Sequence, residues 1–477
     1  MADVDMGVEP VTRVDVARVI DEARLTRHHI LIFALCILSM IIDGFDMQVL
    51  PYTAPALLPA LGAAPADLGP LVSVSIVGML VSGFVSGLVS DRYGRRQVIV
   101  VGLFAFGLFT LGKGLVTTYN QLLVLQFLAG VGLGGVFINA LALAAEYAPM
   151  RHRRFIVTMV SAAFPFGSIV AGHVTAGWMA TIGWHGVLIV GGVLALVMGC
   201  VAAVGLPDSA RQLVLQKRSP DKVNAIMRRI APEYSVDTVW TTSEEPVVHS
   251  PVRDVFVGAR GLATTILSVV MALSLATGYF VNSYSPILFN MSGLSPEEAA
   301  IAASMLHAGA VIGALLWGRL TDWFWPPLIL GLAASIAVIC YATIGHIAGD
   351  YGTLLIVLTI GGLGMGVQNA YNGFASSLYP TATRATALGS IISLGRVGSI
   401  AGPMVGGMLI AASWKVTTLY HFAALAASGM ILCMLLISVL PATRKLIQAS
   451  RRPDANEATV GEGLMPAPPQ ARGLARE

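Results

Sequence analysis

The sequence predicts an all-α membrane protein in which twelve transmembrane helices form two six-helix pseudo-repeats. Hydrophobic residues make up 56% of its 477 residues and charged residues only 12%, whereas about a quarter of the residues of a soluble protein are charged. The apolar residues form blocks long enough to cross a bilayer, which takes about 20 residues. Glycine and polar motifs of the first six blocks also recur in the last six at a nearly constant offset.

The apolar blocks define the predicted helices and the domain organisation. They lie at 29–58, 68–90, 97–117, 120–146, 155–180, 185–206, 262–288, 298–320, 326–347, 352–379, 385–411 and 418–440. They predict one six-helix bundle over 29–206 and a second over 262–440. The polar segments predict a cytoplasmic N-terminal tail over 1–28, a cytoplasmic central loop over 207–261 and a disordered cytoplasmic tail over 441–477.

Basic residues predict the orientation, because short cytoplasmic loops carry an excess of Lys and Arg. The loops after even-numbered blocks are rich in arginine, whereas the other loops carry mainly Lys113 and Lys415. Both tails share the basic character of the even-side loops. Both termini are therefore predicted to be cytoplasmic.

The two halves share three motifs at similar spacing. The matching pairs are Gly87/Gly318 and Asp91/Asp322 at an offset of 231, Gly132/Gly362 and Asn139/Asn369 at 230, and Gly167/Gly398 at 231. A tandem arrangement of two six-helix units places a binding site near the middle of the membrane, between the halves.

Composition and motifs exclude several classes of function. A net charge of +3 gives no support for nucleic-acid binding. The sequence contains no nucleophile elbow, zinc-protease motif, CxxC or nucleotide-binding P-loop, which argues against an enzyme and against ATP-driven transport. No cofactor or metal is expected, since the four cysteines all lie inside apolar blocks, at Cys36, Cys200, Cys340 and Cys433.

Two carboxylates in the first helix are candidates for proton coupling. Asp43 and Asp46 are one helical turn apart, so their side chains share a face. Burial and mutual repulsion favour protonation of one carboxyl of such a pair. We expect at least one to couple protons, with the deeper Asp46 favoured, and two carboxylates allow more than one proton per substrate. The alternative is that they pair with Arg396 or cap the helix.

Arg396 is the candidate ligand for a substrate carboxylate. It lies about twelve residues into the eleventh block, and a guanidinium can bind a carboxylate through two parallel hydrogen bonds. The alternative is a structural ion pair with the first helix. The two interpretations are compatible, because protonation of an aspartate would release Arg396 for the substrate.

Other polar and aromatic side chains in the apolar blocks are candidates for the rest of a binding site. The candidates for hydrogen bonding to ring hydroxyls are Asn139, Gln368, Asn369 and Asn372. The aromatic candidates for packing on the substrate ring are Phe45, Phe137, Tyr279, Tyr284, Tyr371 and Phe374, although such residues more often pack against a neighbour. His173 and His307 are interpreted as buried, hydrogen-bonded histidines rather than proton relays.

Charged residues at the predicted cytoplasmic helix ends are candidates for a gate. They are Asp91, Arg92, Arg95, Arg96, Glu146, Asp322 and Arg384. We expect their ion pairs to hold this side shut in one conformation and to break in another. The alternative is that they are solvated loop residues.

Several of these stretches resemble one transporter family. Gly87-x-x-x-Asp91-Arg92-Tyr-Gly94-Arg95-Arg96 resembles the cytoplasmic loop motif of the major facilitator superfamily. Three stretches resemble its aromatic acid:proton symporter family, which includes 4-hydroxybenzoate/protocatechuate-type transporters. They are Asp43-Gly44-Phe45-Asp46, the segment from Gly130 to Pro149, and the segments from Gln368 to Thr386 and from Gly395 to Pro403.

The resemblance implies the major facilitator fold and import of a small hydroxybenzoate-like carboxylate in symport with protons by alternating access. It implies a monomer in the bacterial inner membrane, whose partners are the aromatic acid, protons and lipid. The chain departs from the family at Gln126, where an arginine usually stands, at Trp323, which replaces a basic residue, and at Tyr284, which replaces a tryptophan.

Other functions stay open on the sequence. One is proton symport of a non-aromatic carboxylate or dicarboxylate by the same machinery. Export of drugs or metabolites is less favoured, because the Gly402-Pro403 motif lies in the eleventh block and not in the fifth. A non-transporting sensor of aromatic acids would bind ligand without flux, and a membrane-embedded enzyme has the least support.

Overall fold

The computed structural model describes residues 13–232, 234, 238–242 and 252–450, and this part of the chain is almost entirely helical. Eleven of its helices are long and apolar enough to cross a membrane. The described part of the N-terminal half contains α1 (Val16–Glu22), α2 (Arg27–Ala60), α3 (Leu68–Tyr93), α4 (Arg95–Lys113), α5 (Tyr119–Tyr147) and α6 (Arg153–Gly205). A short 3-10 helix, Pro65–Asp67, joins α2 to α3.

The central segment and the C-terminal half complete the described fold. The central segment contains α7 (Ala210–Leu215) and α8 (Pro220–Ile230). The C-terminal half contains α9 (Gly258–Met291), α10 (Pro296–Trp323), α11 (Pro326–Ile347), α12 (Tyr351–Met365), α13 (Gln368–Ser377), α14 (Thr381–Ala411), α15 (Val416–Val439) and α16 (Pro441–Ser450). α16 lies where we expected the disordered tail to begin, so that expectation is wrong for 441–450, and 451–477 lie outside the described residues.

The N-terminal tail and the central segment fold together against the first bundle. Strand β1 (Arg13–Asp15) pairs in parallel with β2 (Val239–Thr241). Asp21 of α1 forms ion pairs with Arg153 and with Arg211, the latter at 2.6 Å. α8 buries one apolar face, which includes Val223, Ile226, Met227 and Ile230. The predicted central loop is therefore a structured segment in much of its described part.

Local sequence explains where the helices begin and bend. Thr26 caps the N-terminus of α2 by accepting a hydrogen bond from the backbone of His29, and Ser295 caps α10 in the same way. α6 is interrupted at Gly183, whose φ of 66° and ψ of 177° lie outside the helical region. A second break separates α12 from α13 inside the tenth predicted block.

Matching close contacts between helix backbones confirm the internal repeat. A methyl group on Gly167 would lie 2.0 Å from the carbonyl oxygen of Ile41, and one on Gly398 would lie 1.9 Å from that of Ala272. Both members of the second pair follow those of the first by 231 residues. Only glycine permits this approach, since any larger side chain would meet the facing backbone.

The repeat of the fourth helix has a different register from the one predicted. Gly130 faces the carbonyl oxygen of Ser75, and Gly362 faces that of Leu306. Gly130 therefore corresponds to Gly362, and the predicted offset of 230 is wrong, because the structural offset is 232. The motif repeats glycine at every second residue, so sequence comparison alone matched the wrong members.

The two halves touch at one end of the bundle, which we call the closed end and which comprises 65–73, Tyr284 and 400–407. Ser73 Oγ donates to the carbonyl oxygen of Ile400 at 3.0 Å. The Tyr284 hydroxyl donates to the carbonyl oxygens of Pro403 at 3.1 Å and Ala66 at 3.4 Å. These contacts join α3 and the preceding 3-10 helix to α9 and α14.

Candidate substrate and proton site

Both aspartates of the first membrane helix are buried in the protein, but their surroundings differ. Asp43 is 0% exposed and Asp46 is 3% exposed. They lie one turn apart on α2, as the spacing predicted. An ionised carboxylate in such a place costs several kcal/mol unless it is paired and hydrogen-bonded. Their partners therefore decide what each can do.

Asp46 is held by a lysine and a threonine from α4. Lys113 Nζ lies 3.1 Å from Asp46 Oδ1 and 3.3 Å from Oδ2, and Thr110 Oγ1 donates to Oδ1 at 3.2 Å. Lys113 is 0% exposed, and its ammonium also donates to Gln126 Oε1 on α5 at 3.0 Å. We call Asp46, Lys113, Thr110 and Gln126 the lysine cluster. The cluster neutralises Asp46, and the alternative interpretation, in which Asp46 pairs with Arg396, is wrong for this residue.

Asp43 has no such partner. Neither of its carboxyl oxygens has a hydrogen-bond partner among the residues that the structure describes. Its neighbour Gly44 packs against the backbone of Phe164 on α6, which closes that side of the helix. A carboxyl in this position is stable as the neutral acid or with a cation beside it.

Arg396 is linked to Asp43 through a shared neighbour, Tyr279. It lies on α14, is half-buried and forms no ion pair with any residue in the described part of the chain. Tyr279 on α9 interacts electrostatically with both Arg396 and Asp43. Helices α2, α9 and α14 thus bring an unpartnered carboxyl, a phenol and an unpaired guanidinium into one region between the two halves.

The candidate amides divide into satisfied and unsatisfied groups. Gln368 Oε1 accepts a hydrogen bond from Ser274 Oγ at 2.9 Å. Asn139 Nδ2 donates to the carbonyl oxygen of Gly135 at 2.8 Å, while its Oδ1 is buried without a partner. Asn372 Oδ1 is also buried without a partner among described residues, whereas Asn369 is exposed. Asn139 and Asn372 therefore have free acceptors.

The aromatic candidates serve mainly in packing. The Phe45 ring would contact a methyl group on Gly191 at 3.0 Å, and Phe137 packs edge-on against Phe164 at 6.4 Å between ring centroids. Phe374 is buried in the core of the second half, and Tyr284 is 0% exposed with its hydroxyl bonded at the closed end.

Three further ring side chains, those of Tyr371, His307 and His173, carry polar atoms. Tyr371 is buried, and its hydroxyl has no partner in the described region. By the corrected register it occupies the position that Asn139 holds in the first half. His307 is buried and lies 2.5 Å from Gln48 between ring Nε2 and amide Nε2, which confirms a buried, hydrogen-bonded histidine. His173 is exposed, so the prediction of burial is wrong for it.

The candidate gate residues lie at the end of the bundle opposite the closed end. Arg95 Nε pairs with Glu146 Oε1 at 2.6 Å, and Arg96 lies 3.9 Å from Asp208. Asp91, Arg92 and Asp322 are exposed, and Arg384 Nε donates to the carbonyl oxygen of Tyr379 at 3.4 Å. The two ion pairs lie within the first half and its adjoining central segment.

Sequence reasoning missed two members of the site. Lys113 was noted only as a basic residue on a nearly uncharged side, and Gln126 only as a departure from a family pattern. A lysine near the end of an apolar block is ambiguous, because the same residue in a loop would face water. The missing signal is the packing of α4 against α2, which brings Lys113 next to Asp46 although the two residues lie 67 positions apart in the sequence.

The comparison of this chain with known families agrees with its fold. The family model described as Major Facilitator Superfamily matches residues 36–403 and, in a second match, 293–470. The chain belongs to the major facilitator superfamily. It is a transporter rather than an enzyme, and a multi-pass protein of the bacterial inner membrane.

Relatives within the superfamily cover most of this chain. It is 34% identical over 425 residues to the 4-hydroxybenzoate transporter PcaK of Pseudomonas putida, covering 87% of this chain and 95% of the relative. It is 30% identical over 424 residues to the gallate transporter of the same species, covering 88% and 94%. The crystal structure of a D-xylose-proton symporter shares the fold, with a TM-score of 0.66 at 17% identity, covering 87% of this chain and 98% of that one.

Proposed function

We propose that this protein imports a small aromatic carboxylate together with protons by alternating access. The observation that carries the proposal is the half-buried Arg396, which has no ion pair among described residues and shares Tyr279 as an electrostatic neighbour with the unpartnered Asp43. A guanidinium in this position attracts a carboxylate. The names of the relatives, a 4-hydroxybenzoate transporter and a gallate transporter, support an aromatic acid as the substrate that carries this carboxylate.

The proposed site combines charge recognition with ring recognition. Arg396 binds the substrate carboxylate, and Tyr279 packs beside the ring or donates to it. Asn139 and Asn372 have unsatisfied acceptors that suit ring hydroxyls. Gln368 and Asn369 are weaker candidates, because the first is bonded to Ser274 and the second is exposed. Tyr284 acts at the closed end instead.

Twelve membrane crossings follow from the length of α6. Its 53 residues would extend about 80 Å at 1.5 Å per residue, whereas the hydrocarbon core of a bilayer is about 30 Å thick. The break at Gly183 divides α6 into two crossings, and with the ten other candidate spans these make twelve. We infer that both termini, the central segment and the candidate gate lie in the cytoplasm, because short cytoplasmic loops are rich in basic residues.

This conformation is proposed to be the one closed to the outside. With cytoplasmic termini, the closed end faces outward, and the contacts of Ser73 with Ile400 and of Tyr284 with Ala66 join the two halves there. Rocking of the halves would break these contacts and bring the gate residues of the two halves together. Asp91, Arg92, Asp322 and Arg384 lie at the end of the bundle that closes in that step. Arg95 and Glu146 already form an ion pair that joins α4 to α5, and Arg96 lies beside Asp208.

The test is uptake by the purified protein in liposomes with an acidic exterior. A panel of radiolabelled 4-hydroxybenzoate, gallate, benzoate and cis,cis-muconate separates aromatic acids from an aliphatic diacid. We expect concentrative uptake of at least one aromatic acid and weak uptake of muconate. The reverse preference would establish the non-aromatic alternative. Uptake of none of the four acids by liposomes that contain folded protein and hold a pH gradient would refute the proposal.

Arg396→Ala tests the substrate ligand. Loss of a charge-assisted pair costs about 2–5 kcal/mol, which is at least about thirtyfold in affinity. Arg319→Ala is the matched control, because Arg319 is exposed and its guanidinium lies over the Trp323 ring. Normal affinity and uptake in Arg396→Ala would remove Arg396 from the site.

A further inference from the structure

We propose that Lys113 holds Asp46 as a permanent anion, so that Asp43 alone carries the coupled proton and each monoanion crosses with one proton and no net charge. This inference rests on the proposed function, which assigned coupling to the Asp43–Asp46 pair as a whole. It reverses the sequence-based preference for Asp46. It also replaces the expectation that two carboxylates carry more than one proton.

The lysine cluster disfavours protonation of Asp46. Both carboxylate oxygens of Asp46 lie within 3.3 Å of the Lys113 ammonium, and Oδ1 also accepts from Thr110. An added proton on Asp46 would leave a fully buried ammonium whose other hydrogen-bond partner, Gln126 Oε1, is neutral. The desolvation of a buried cation without a counter-ion is unfavourable, so the pair disfavours an added proton.

Asp43 is the carboxyl that has a reason to change its protonation. Its oxygens have no partner in the described part of the chain, and Tyr279 has both Asp43 and Arg396 as electrostatic neighbours. The charged and titratable groups around it are Asp46 on its own helix, Tyr279 on α9 and Arg396 on α14. A proton on Asp43 removes the anion that competes with a substrate for Arg396.

The charge of the site gives the stoichiometry. In an empty state with Asp43 ionised and paired with Arg396, Asp43 and Asp46 contribute two negative charges, and Lys113 and Arg396 contribute two positive charges. One proton on Asp43 and one monoanion on Arg396 leave the sum at zero. The empty and loaded forms are then equally neutral, which suits a site that must be exposed in turn to each side of a membrane. A second proton would leave a net positive charge in the protein interior.

The first experiment imposes a membrane potential without a pH gradient. In liposomes that contain the unaltered protein, valinomycin and a potassium gradient set a membrane potential of about −118 mV. The probe is the acid of the panel that shows the highest uptake. One net charge per cycle would give about tenfold accumulation per 59 mV, or about a hundredfold here. We expect no accumulation from the potential and clear accumulation from a pH gradient. Accumulation near a hundredfold would overturn the single-proton assignment.

The second experiment assigns the proton to a residue. Asp43→Asn should abolish accumulation driven by a pH gradient while counterflow exchange of labelled acid continues. The paired variant Asp46→Asn with Lys113→Met removes both charges together and should keep its response to the pH gradient, even where its rate falls. Retained driven uptake in Asp43→Asn, or its loss in the paired variant with exchange intact, would overturn the inference.

Lys113→Met alone tests whether the charge balance sets the stoichiometry. Without the ammonium, the buried Asp46 is stable as the neutral acid, so the site is again neutral when empty and when loaded, and uptake should stay insensitive to the potential. Exchange-competent Lys113→Met protein whose uptake responds to the potential by about tenfold per 59 mV would contradict the assignment of the coupled proton to Asp43 alone. If this variant does not fold, Asp43→Asn and the paired variant still determine which aspartate carries the coupled proton. Absence of uptake by the unaltered protein would instead refute the proposed function itself.

Discussion

Removal of the Lys113 ammonium should destabilise the folded protein far more than removal of a surface lysine. Lys113 is 0% exposed, and it lies 3.1 Å from Asp46 Oδ1 and 3.0 Å from Gln126 Oε1. Lys113→Met keeps most of the side-chain volume but leaves Asp46 with Thr110 as its remaining donor. Breaking one partner of a buried ion pair costs about 3–5 kcal/mol, because the other charge stays buried without compensation.

A double-mutant cycle separates this effect from general packing loss. The free energy of unfolding is measured by titration with SDS in mixed micelles for Lys113→Met, Asp46→Asn and the variant with both changes. We expect the double variant to recover about 2 kcal/mol or more relative to the sum of the single changes, since neither charge is then stranded. Lys415→Met is the matched control, because Lys415 is exposed in the loop before α15, and its effect should stay within about 0.5 kcal/mol.

Two outcomes would refute this reasoning. One is a Lys113→Met protein whose stability lies within about 1 kcal/mol of the unaltered chain, which would mean that Asp46 does not depend on the ammonium. The other is strict additivity of the two changes, since residues in direct contact couple by about 0.5–3 kcal/mol.

Three further predictions concern packing and the closed end. Gly398→Ala should lower stability in the same SDS titration, because its methyl group would lie 1.9 Å from a carbonyl oxygen of α9, whereas Gly389→Ala has open space and should be neutral or slightly stabilising. Oxidation of the pair Ala66→Cys and Gly407→Cys should block uptake reversibly, because the two backbones approach closely there; undiminished uptake after complete cross-linking would contradict a moving closed end. Tyr284→Phe removes hydrogen bonds worth about 1 kcal/mol each, so cross-linking of the same pair should slow severalfold, and an unchanged rate would contradict that role.

Much of the architecture could be predicted from the sequence because its cause is local. A block of about 20 apolar residues has few stable arrangements in a bilayer other than a helix, so the spans could be located by hydropathy. The repeat of Gly167 and Gly398 could be located because glycine is required wherever two backbones touch. The position of Asp43 and Asp46 on one face of α2 follows from helical geometry alone.

The partners of the ionisable groups could be decided only by the tertiary structure. Which cation faces Asp46 depends on how α4 packs against α2, and Lys113 lies at a helix end where a sequence cannot distinguish water from protein. Arg396, the alternative partner that the sequence offers for Asp46, forms no ion pair with it.

The same dependence on packing explains the shifted register of the fourth-helix motif. Hydropathy and spacing determine that chains of apolar residues become helices and which residues share a face. Contacts between helices that are far apart in sequence determine which carboxylate is neutralised and which remains to bind a proton.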